Sequence, residues 1–347
     1  MVGIFRGRRC GPIGIDIGSR SVKLLQLSAD RARVCEAARW DLAADASQRD
    51  EEIVRAIQQA RQRRAFHGRD AVFCLGGDAL FVQNIRVPQA SGDELSRIVC
   101  SEAAGRLPFA GEEAEMRFVE AADVRQGDTV RREVILMACR RAVLQRIGSI
   151  AEAAGLNPVA IDPEPGALLR CYTRQFRRDE DQQQCSLLLD LGASGAVVVI
   201  ARGPDAMFIK YLEIGARHFD EAVASHLKVS IDDATALRRH NGDRRGDQRD
   251  PEITRGIAES VRPVLERLVG ELSMCIRYYS VTFRGQSLTR VVVGGGEATS
   301  QLVEWLAKRL DIPCELGDPL RIFQKPDFPG RIGQWGVAVG LALREVR

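Results

Sequence analysis

The stretch IGIDIGSRSVKLLQLS, residues 13–28, decides how this chain is organised. Two apolar runs typical of β-strands flank a polar turn built on Asp16, Gly18 and Ser19, and too few residues lie between them for a helix. The sequence therefore predicts a β-hairpin closed by an Asp-x-Gly turn.

A second stretch, SLLLDLGASGAVVVIARG at residues 186–203, repeats this plan around Asp190 and Gly192. Helical periodicity follows each hairpin, at residues 50–66 and 251–280. Strands that alternate with helices favour an α/β protein, and the internal duplication predicts two similar lobes. The 347 residues are enough for both.

Extra material separates the two units. Residues 79–156 follow the order strand, helix, two strands, helix, which predicts a small α+β subdomain inserted into the first lobe. We expect a first lobe at residues 1–77 and 159–180, an inserted subdomain at 78–158, and a second lobe at 181–347 with a smaller helical part at 216–284. The polar segments 175–185 and 238–250 lack apolar periodicity and are predicted to be exposed loops.

Composition excludes several classes of protein. Lys and Arg total 50 against 47 Asp and Glu, so the net charge of +3 gives no indication of nucleic-acid binding. Nine cysteines are scattered without a Cys-x-x-Cys pair, which argues against a zinc site or a disulfide framework and favours a reducing cytoplasm. We find neither a secretory signal nor an apolar run of the length that a spanning helix needs, and expect a cytoplasmic protein.

The two Asp-x-Gly turns suit phosphate binding. Backbone N–H groups of a tight turn point into one concavity, and the hydroxyls of Ser19 and Ser21 add donors. Asp16 and Asp190 are candidates to hold Mg²⁺, which takes a few carboxylates together with phosphate oxygens. One such turn alone is ordinary hairpin chemistry, but two copies in matched contexts favour a polyphosphate clamp.

A third glycine cluster lies in TRVVVGGGEATSQLVEWLAKRL, residues 289–310. Gly294, Gly295 and Gly296 follow an apolar strand and precede an amphipathic helix, an order that suits close approach of an adenosine or a phosphate. The run is neither the dinucleotide fingerprint nor a P-loop. A close-packed turn without a ligand is the alternative.

These motifs carry a resemblance. GIDIGSRSVK, LLLDLGASG, VVVGGGEAT and GVAVGLAL resemble the phosphate, adenosine and closing-helix motifs of the actin-like ATPase superfamily. More narrowly, the chain resembles the PilM family of type IV pilus assembly, through EAAGRLPF, ACRRAVLQRIGSIAEAAGLNPVAIDPEP and GGGEATSQLVEWLAKRLDIPCELGDPL. The resemblance implies an actin-like (ribonuclease H-like) two-lobed α/β fold with an inserted subdomain, related to the division protein FtsA, and the cofactors ATP and Mg²⁺.

The resemblance also implies a set of site residues. Asp16 and Asp190 would hold the metal. The nucleotide would lie against Gly18, Ser19, Arg20, Ser21, Lys23, Gly192, Ala193, Ser194, Glu271, Gly294, Gly295 and Gly296. Lys23 fits an exposed strand position as well as a phosphate contact. Relatives commonly carry threonine where this chain has Gly195, so one hydroxyl is missing.

Hydrolysis of ATP requires a group that orients water. Asp162 and Glu164 are the nearest candidates, although both also suit the start of a helix, where carboxylates cap exposed N–H groups. We expect weak or absent turnover, with the nucleotide acting as a conformational ligand between the lobes.

The resemblance implies a partner too. Relatives bind the short cytoplasmic N-terminal peptide of a bitopic, PilN-like inner-membrane protein in a groove beside the inserted subdomain, and reach the membrane only through it. An FtsA-like division protein and a small-molecule kinase of the same superfamily remain alternatives. The sequence does not distinguish among type IV pilus, type II secretion and competence pathways.

Overall fold

The structure, a computed structural model, describes residues 10–43, 48–176, 183–243, 250–284, 287–324, 328 and 330–346. The strands are β1 (Cys10–Ile17), β2 (Ser21–Ser28), β3 (Val34–Asp41), β4 (Asp70–Leu75), β5 (Phe81–Pro88), β6 (Ala114–Gln126), β7 (Thr129–Arg140), β8 (Asn157–Pro163), β9 (Cys185–Leu191), β10 (Ala196–Arg202), β11 (Asp205–Leu212), β12 (Leu288–Gly294) and β13 (Cys314–Leu316). The helices are α1 (Arg49–Arg63), α2 (Gly92–Ala104), α3 (Arg141–Ala153), α4 (Glu164–Thr173), α5 (Ala216–Leu227), α6 (Ile231–Asp243), α7 (Pro251–Thr282), α8 (Ser300–Leu310) and α9 (Gly336–Ala342). Among the described residues, no helix combines the length and apolarity needed to cross a bilayer.

Two five-stranded sheets share one topology. The first has the order β3-β2-β1-β4-β8 and the second the order β11-β10-β9-β12-β13. In each, three antiparallel strands come first in the chain, and two further strands then add in parallel. The duplication predicted from the two hairpins is therefore confirmed, as is the two-lobed α/β class.

A third sheet, of order β5-β7-β6, is inserted between β4 and β8 of the first lobe. Helix α2 covers one of its faces, where Val99 of the helix packs with Ile85, Val87 and Leu136 of the strands. This sheet and helix are the insertion that the sequence predicts. We call residues 81–140 the inserted unit.

Helix α3 follows the inserted unit but packs elsewhere. Its buried residues Ile147, Ile150 and Ala151 belong to the core of the first sheet, together with Ile57 of α1. We expected the inserted subdomain to end at residue 158, because α3 follows its strands in the chain. The packing of α3 on the first sheet favours an earlier end, before α3.

The second lobe carries a small helical layer formed by α5, α6 and α7, with Val223, Ala234 and Ile257 at its centre. The prediction of a loop over 238–250 is wrong for its first part, because α6 continues to Asp243. Residues 244–249 of that segment lie outside the described residues, as do 177–182 of the predicted link between the lobes.

Helix α9 packs between α4 and β1 through glycines. A Cβ atom on Gly340 would fall far inside contact distance of the Ala167 carbonyl oxygen, and one on Gly14 would meet the carbonyl of Ala338. Backbone-to-backbone contact of this kind has no flexible side chain that gives way. These two glycines therefore set how closely the helices approach the first sheet.

Gly340→Ala should destabilise the protein by about 2–3 kcal/mol, the usual cost of overpacking a core. Gly270→Ala is the matched control, since Gly270 is an exposed residue of α7 whose added Cβ meets nothing within 4 Å. That control should gain about 0.5–1 kcal/mol from helix propensity. Urea unfolding of both variants measures the difference, and equal stabilities would contradict the packing argument.

Candidate functional site

The two predicted turns are built by the same hydrogen bond. The N–H of Gly18 donates to the carbonyl of Ser21 at 3.0 Å, and the N–H of Gly192 donates to the carbonyl of Gly195, also at 3.0 Å. Both turns place an exposed serine at the tip, Ser19 in the first and Ser194 in the second. The duplication therefore extends from topology to the detailed geometry of the turns.

The start of α5 is hydrogen-bonded to the second turn. The first two N–H groups of α5 donate to the carbonyls of Gly192 and Ala193, at 3.0 and 2.9 Å. A Cβ on Gly195 would lie 2.9 Å from the carbonyl oxygen of Leu212. Gly195, which stands where relatives commonly have threonine, therefore lies at a point where β11 comes close to the turn.

The first turn is held from α1. The Arg49 guanidinium donates to the carbonyl oxygens of Gly18, at 3.2 Å, and of Ser19. Ser21 is buried beneath the turn. Arg20 points towards the second lobe, across the cleft that separates the two lobes.

Acidic side chains from both lobes lie near one lysine. The Lys23 ammonium donates to Asp16 Oδ2 at 2.5 Å. Burial, opposed in part by Lys23 and reinforced by the charge of Asp16, raises the pKa of Asp190 to about 7. Burial together with Asp190 and Asp16 raises the pKa of Glu164 to about 8. The charges of Asp16 and Asp190 therefore act on each other and on Glu164 in this part of the cleft.

Glu164, in the first turn of α4, is bound from the opposite lobe. The Tyr211 hydroxyl, from β11, donates to Glu164 Oε2 at 3.0 Å, and the Gly77 N–H also donates to this carboxyl group. The Tyr211 ring lies directly over Gly77, where any Cβ would collide with it. This contact joins the two lobes at the base of the cleft.

The glycine triplet divides into packed and open positions. A Cβ on Gly294 would lie 2.6 Å from the Tyr172 hydroxyl, and Gly295 has a φ of +93° with Leu191 against it. Gly296 has nothing within 4 Å of its Cβ direction. Packing therefore restricts the first two positions to glycine, and Gly296 has open space in its Cβ direction. Contact of a nucleotide with the triplet stays a prediction.

An ion-pair network that the sequence did not predict joins the first turn to the second lobe. Asp220 of α5 is fully buried and lies 2.7 Å from both Arg20 and Arg238. Arg238 also pairs with Glu297, the buried residue that follows the triplet, and Glu297 lies 3.8 Å from Arg331. The position of Glu297, directly after the glycine triplet, could have identified it as a site residue. Arg238 could not be identified in this way, because it lies in a segment that we predicted to be a loop.

Two predicted site residues form ion pairs. Glu271 forms an ion pair with Lys210 at 2.9 Å, on β11, which is separated from β12 by two strands of the second sheet. Asp162 binds Arg170 at 2.8 Å and also binds Arg344. The structure therefore pairs Glu271 with Lys210, and it pairs Asp162 with two arginines, of which Arg344 lies near the end of the described residues. A contact between Glu271 and a nucleotide stays a prediction.

The comparison with known proteins identifies the family. The sequence matches the family described as type IV pilus assembly protein PilM over residues 14–346. A solved PilM-PilN type IV pilus biogenesis complex is similar to this structure with a TM-score of 0.80 and 23% sequence identity, over 98% of this chain and 99% of that one.

Two further structures support the fold. The ethanolamine utilization protein EutJ from Carboxydothermus hydrogenoformans has a TM-score of 0.59 and 13% identity, over 96% of this chain and 89% of that one. MreB 5 of Spiroplasma citri, solved with bound AMPPNP, has a TM-score of 0.50 and 11% identity, over 94% of this chain and 93% of that one. The actin-like fold is thereby confirmed. Since the family match spans nearly the entire sequence, the chain belongs to the PilM family of type IV pilus assembly proteins.

Proposed function

We propose that this protein is a nucleotide-responsive adaptor of type IV pilus assembly. It binds Mg–ATP between the two Asp-x-Gly turns and docks the cytoplasmic N-terminal peptide of a PilN-like membrane protein beside the inserted unit. It reaches the inner membrane through that partner. The observation that carries the proposal is the set of contacts that join the inserted unit and the first turn to the second lobe.

The cleft residues fit a magnesium nucleotide. Mg²⁺ takes one or two carboxylates from a protein and completes its shell with water and phosphate oxygens. Asp16 and Asp190 are the two carboxylates, and bound Mg²⁺ supplies the charge that keeps both ionised next to the phosphates.

Arg20 supports the same assignment. Its Nη2 atom donates to Asp220, while its Nη1 atom is buried and has no hydrogen-bond partner among the described residues. A buried guanidinium donor without an acceptor is costly, and a phosphate oxygen is a suitable acceptor for it. The MreB relative bound to AMPPNP is consistent with a nucleotide in this fold.

Weak hydrolysis is the expected activity. Glu164 remains a candidate to orient water, but in the ligand-free protein its pKa of about 8 leaves it mostly protonated at pH 7. Its hydrogen bond from Tyr211 further fixes it as a contact between the lobes. We therefore propose that the nucleotide acts through binding more than through turnover.

Mg–ATP affinity should increase between pH 6 and pH 8. The pKa of about 7 at Asp190 means that this carboxyl group is protonated at the lower pH and ionised at the higher one. Only the ionised form attracts Mg²⁺, so the gain should approach tenfold over those two pH units. Isothermal titration calorimetry across the range measures it, and a flat profile would contradict the assignment of Asp190 to the metal.

The inserted unit is tied to the second lobe. The side-chain amide of Asn84 donates to the carbonyl of Ile209 at 2.8 Å and accepts from its N–H at 3.3 Å, as a neighbouring strand would. Arg86 donates to the buried Glu133 and to Thr282 of α7, each at 2.7 Å. Any change in the angle between the lobes that a nucleotide causes is therefore transmitted to the inserted unit.

The peptide surface has a candidate position at the corner formed by residues 106–109. Leu107 and Phe109 are partly exposed there, and the Arg140 guanidinium lies 5.2 Å from the centre of the Phe109 ring. Apolar side chains beside a cation suit a short peptide with apolar and acidic residues. The PilM-PilN structure, which is similar along almost this whole chain, supports a partner of the PilN type.

Phe109→Ala should weaken binding of a labelled PilN-like N-terminal peptide at least tenfold in fluorescence anisotropy, and Mg–ATP should change the affinity of the unaltered protein. Leu316→Ala is the matched control, because Leu316 is 48% exposed on β13 of the second lobe, and it should bind like the original. Equal peptide affinity with and without Mg–ATP would refute the nucleotide-responsive part. No peptide binding at all would refute the adaptor.

A further inference from the structure

Two of the nine cysteines meet at the edge of the first sheet. Cys10 begins β1 and Cys35 lies in β3, and in the sheet β2 runs between these strands. The Sγ atom of Cys10 nevertheless lies 3.2 Å from the Sγ atom of Cys35. Both thiols are partly exposed and therefore accessible to small reagents.

Irregular pairing on both sides of β2 brings the sulfur atoms together. The register of β1 against β2 contains one extra residue between Cys10 and Ile13. The register of β3 against β2 also contains an extra residue, and that residue is Cys35 itself. Bulges of this kind bend a strand and redirect its side chains, so two side chains from non-adjacent strands reach each other across the intervening one.

We propose that Cys10 and Cys35 form a reversible disulfide when the protein meets a two-electron oxidant. Each thiol loses its hydrogen and one S–S bond forms. Hydrogen peroxide accepts the two electrons and two protons and becomes two water molecules. A diazenedicarboxamide such as diamide accepts them equally well and becomes the hydrazine.

The bond would hold the edge strand β3 to β1. It joins residues that are 25 positions apart, so it restricts the unfolded chain and raises stability when native geometry accommodates it. The same edge also contacts the segment that ends at Gln324, because the Val34 N–H donates to the Gln324 carbonyl at 3.2 Å. A disulfide there stabilises the docking of that segment as well.

The reaction should be slow near neutral pH and should leave the cleft unchanged. Burial, together with the hydrogen bond that the two thiols share, raises the pKa of the Cys35 thiol to about 11, so little thiolate is present at Cys35. Asp16 lies six residues along β1 from Cys10, about 20 Å away at the rise of a strand. Nucleotide binding is therefore the internal control for a local effect.

Diamide treatment at pH 8.5 followed by tryptic mass spectrometry tests the proposal. Trypsin separates the two cysteines into peptides 10–20 and 34–39, and the oxidised protein should give these two joined by a bond that dithiothreitol cleaves. Titration of denatured protein with Ellman's reagent should show a loss of two thiols. Cys10→Ser and Cys35→Ser should each abolish the joined peptide.

Cys100→Ser is the matched control, since Cys100 is exposed in α2, and this variant should still form the joined peptide. The oxidised protein should melt several degrees higher than the reduced one, a difference that both single serine variants of the pair lose. Absence of the joined peptide would overturn the proposed disulfide. Presence of the joined peptide without any rise in melting temperature would overturn its stabilising role.

Discussion

Asp190→Asn should raise the melting temperature of the ligand-free protein at pH 8 and, in the same variant, weaken Mg–ATP binding at least tenfold. Burial and the neighbouring Asp16 raise the pKa of Asp190 to about 7, so the ionised carboxylate at pH 8 is unfavourable in the folded state. A neutral amide of the same shape removes that cost, which is on the order of 2–4 kcal/mol for a displacement of this size. It also removes the charge that attracts Mg²⁺.

The pH dependence gives this prediction a clear sign. Between about pH 4 and pH 7 the folded protein holds a proton on Asp190 that the unfolded chain has released, so stability falls as the pH rises through that window. The advantage of the asparagine variant should therefore be small at pH 4 and largest above pH 7. Differential scanning calorimetry at both pH values measures it.

Asp205→Asn is the matched control for Asp190→Asn. Asp205 begins β11 in the same lobe and is exposed, so its replacement should change neither the melting temperature nor Mg–ATP affinity appreciably. If Asp190→Asn were destabilising at pH 8, the raised pKa would be wrong. Unchanged Mg–ATP affinity would instead remove Asp190 from the proposed metal site.

Asp220→Ala should cost about 3–5 kcal/mol of folding free energy, the usual result of removing one member of a buried ion-pair network. Asp220 is fully buried and lies 2.7 Å from both Arg20 and Arg238. Its loss leaves Arg20 without its carboxylate across the cleft and leaves Arg238 with Glu297 alone. Urea unfolding followed by circular dichroism measures the change.

An exposed ion pair provides the contrast. Asp50 pairs with Arg146, and both side chains are about half exposed. Because water and salt screen such pairs, Asp50→Ala should cost under about 1 kcal/mol. Equal costs for the two alanine variants would contradict a stabilising role for the network around Asp220.

The strands and turns were predictable because their signals are local. Two Asp-x-Gly hairpins with alternating and continuous apolar runs specify the antiparallel strands, and their repetition specifies two lobes. The order strand, helix, two strands also located the inserted unit. By contrast, assigning α3 to that unit followed its place in the chain, whereas its apolar face packs on α1 and the first sheet.

The residues that connect the lobes were not predictable. Arg20 and Asp220 are separated by 200 positions, and Glu164 and Tyr211 by 47. No pattern in a window of sequence records such a pair, since each depends on how two lobes pack. The same limit applies to the ion pair between Glu271 and Lys210, which are separated by 61 positions.

The sequence by itself determined the two duplicated hairpins and the positions of Asp16 and Asp190, because strand periodicity and turn chemistry act over a few residues. It indicated the family through the resemblance of its motifs to those of known members. Only the tertiary structure decided which charges meet across the cleft, that Gly294 and Gly295 are fixed by packing while Gly296 is open, and that Cys10 lies beside Cys35. These outcomes depend on the approach of distant segments, and close packing settles that approach only when the whole chain is folded.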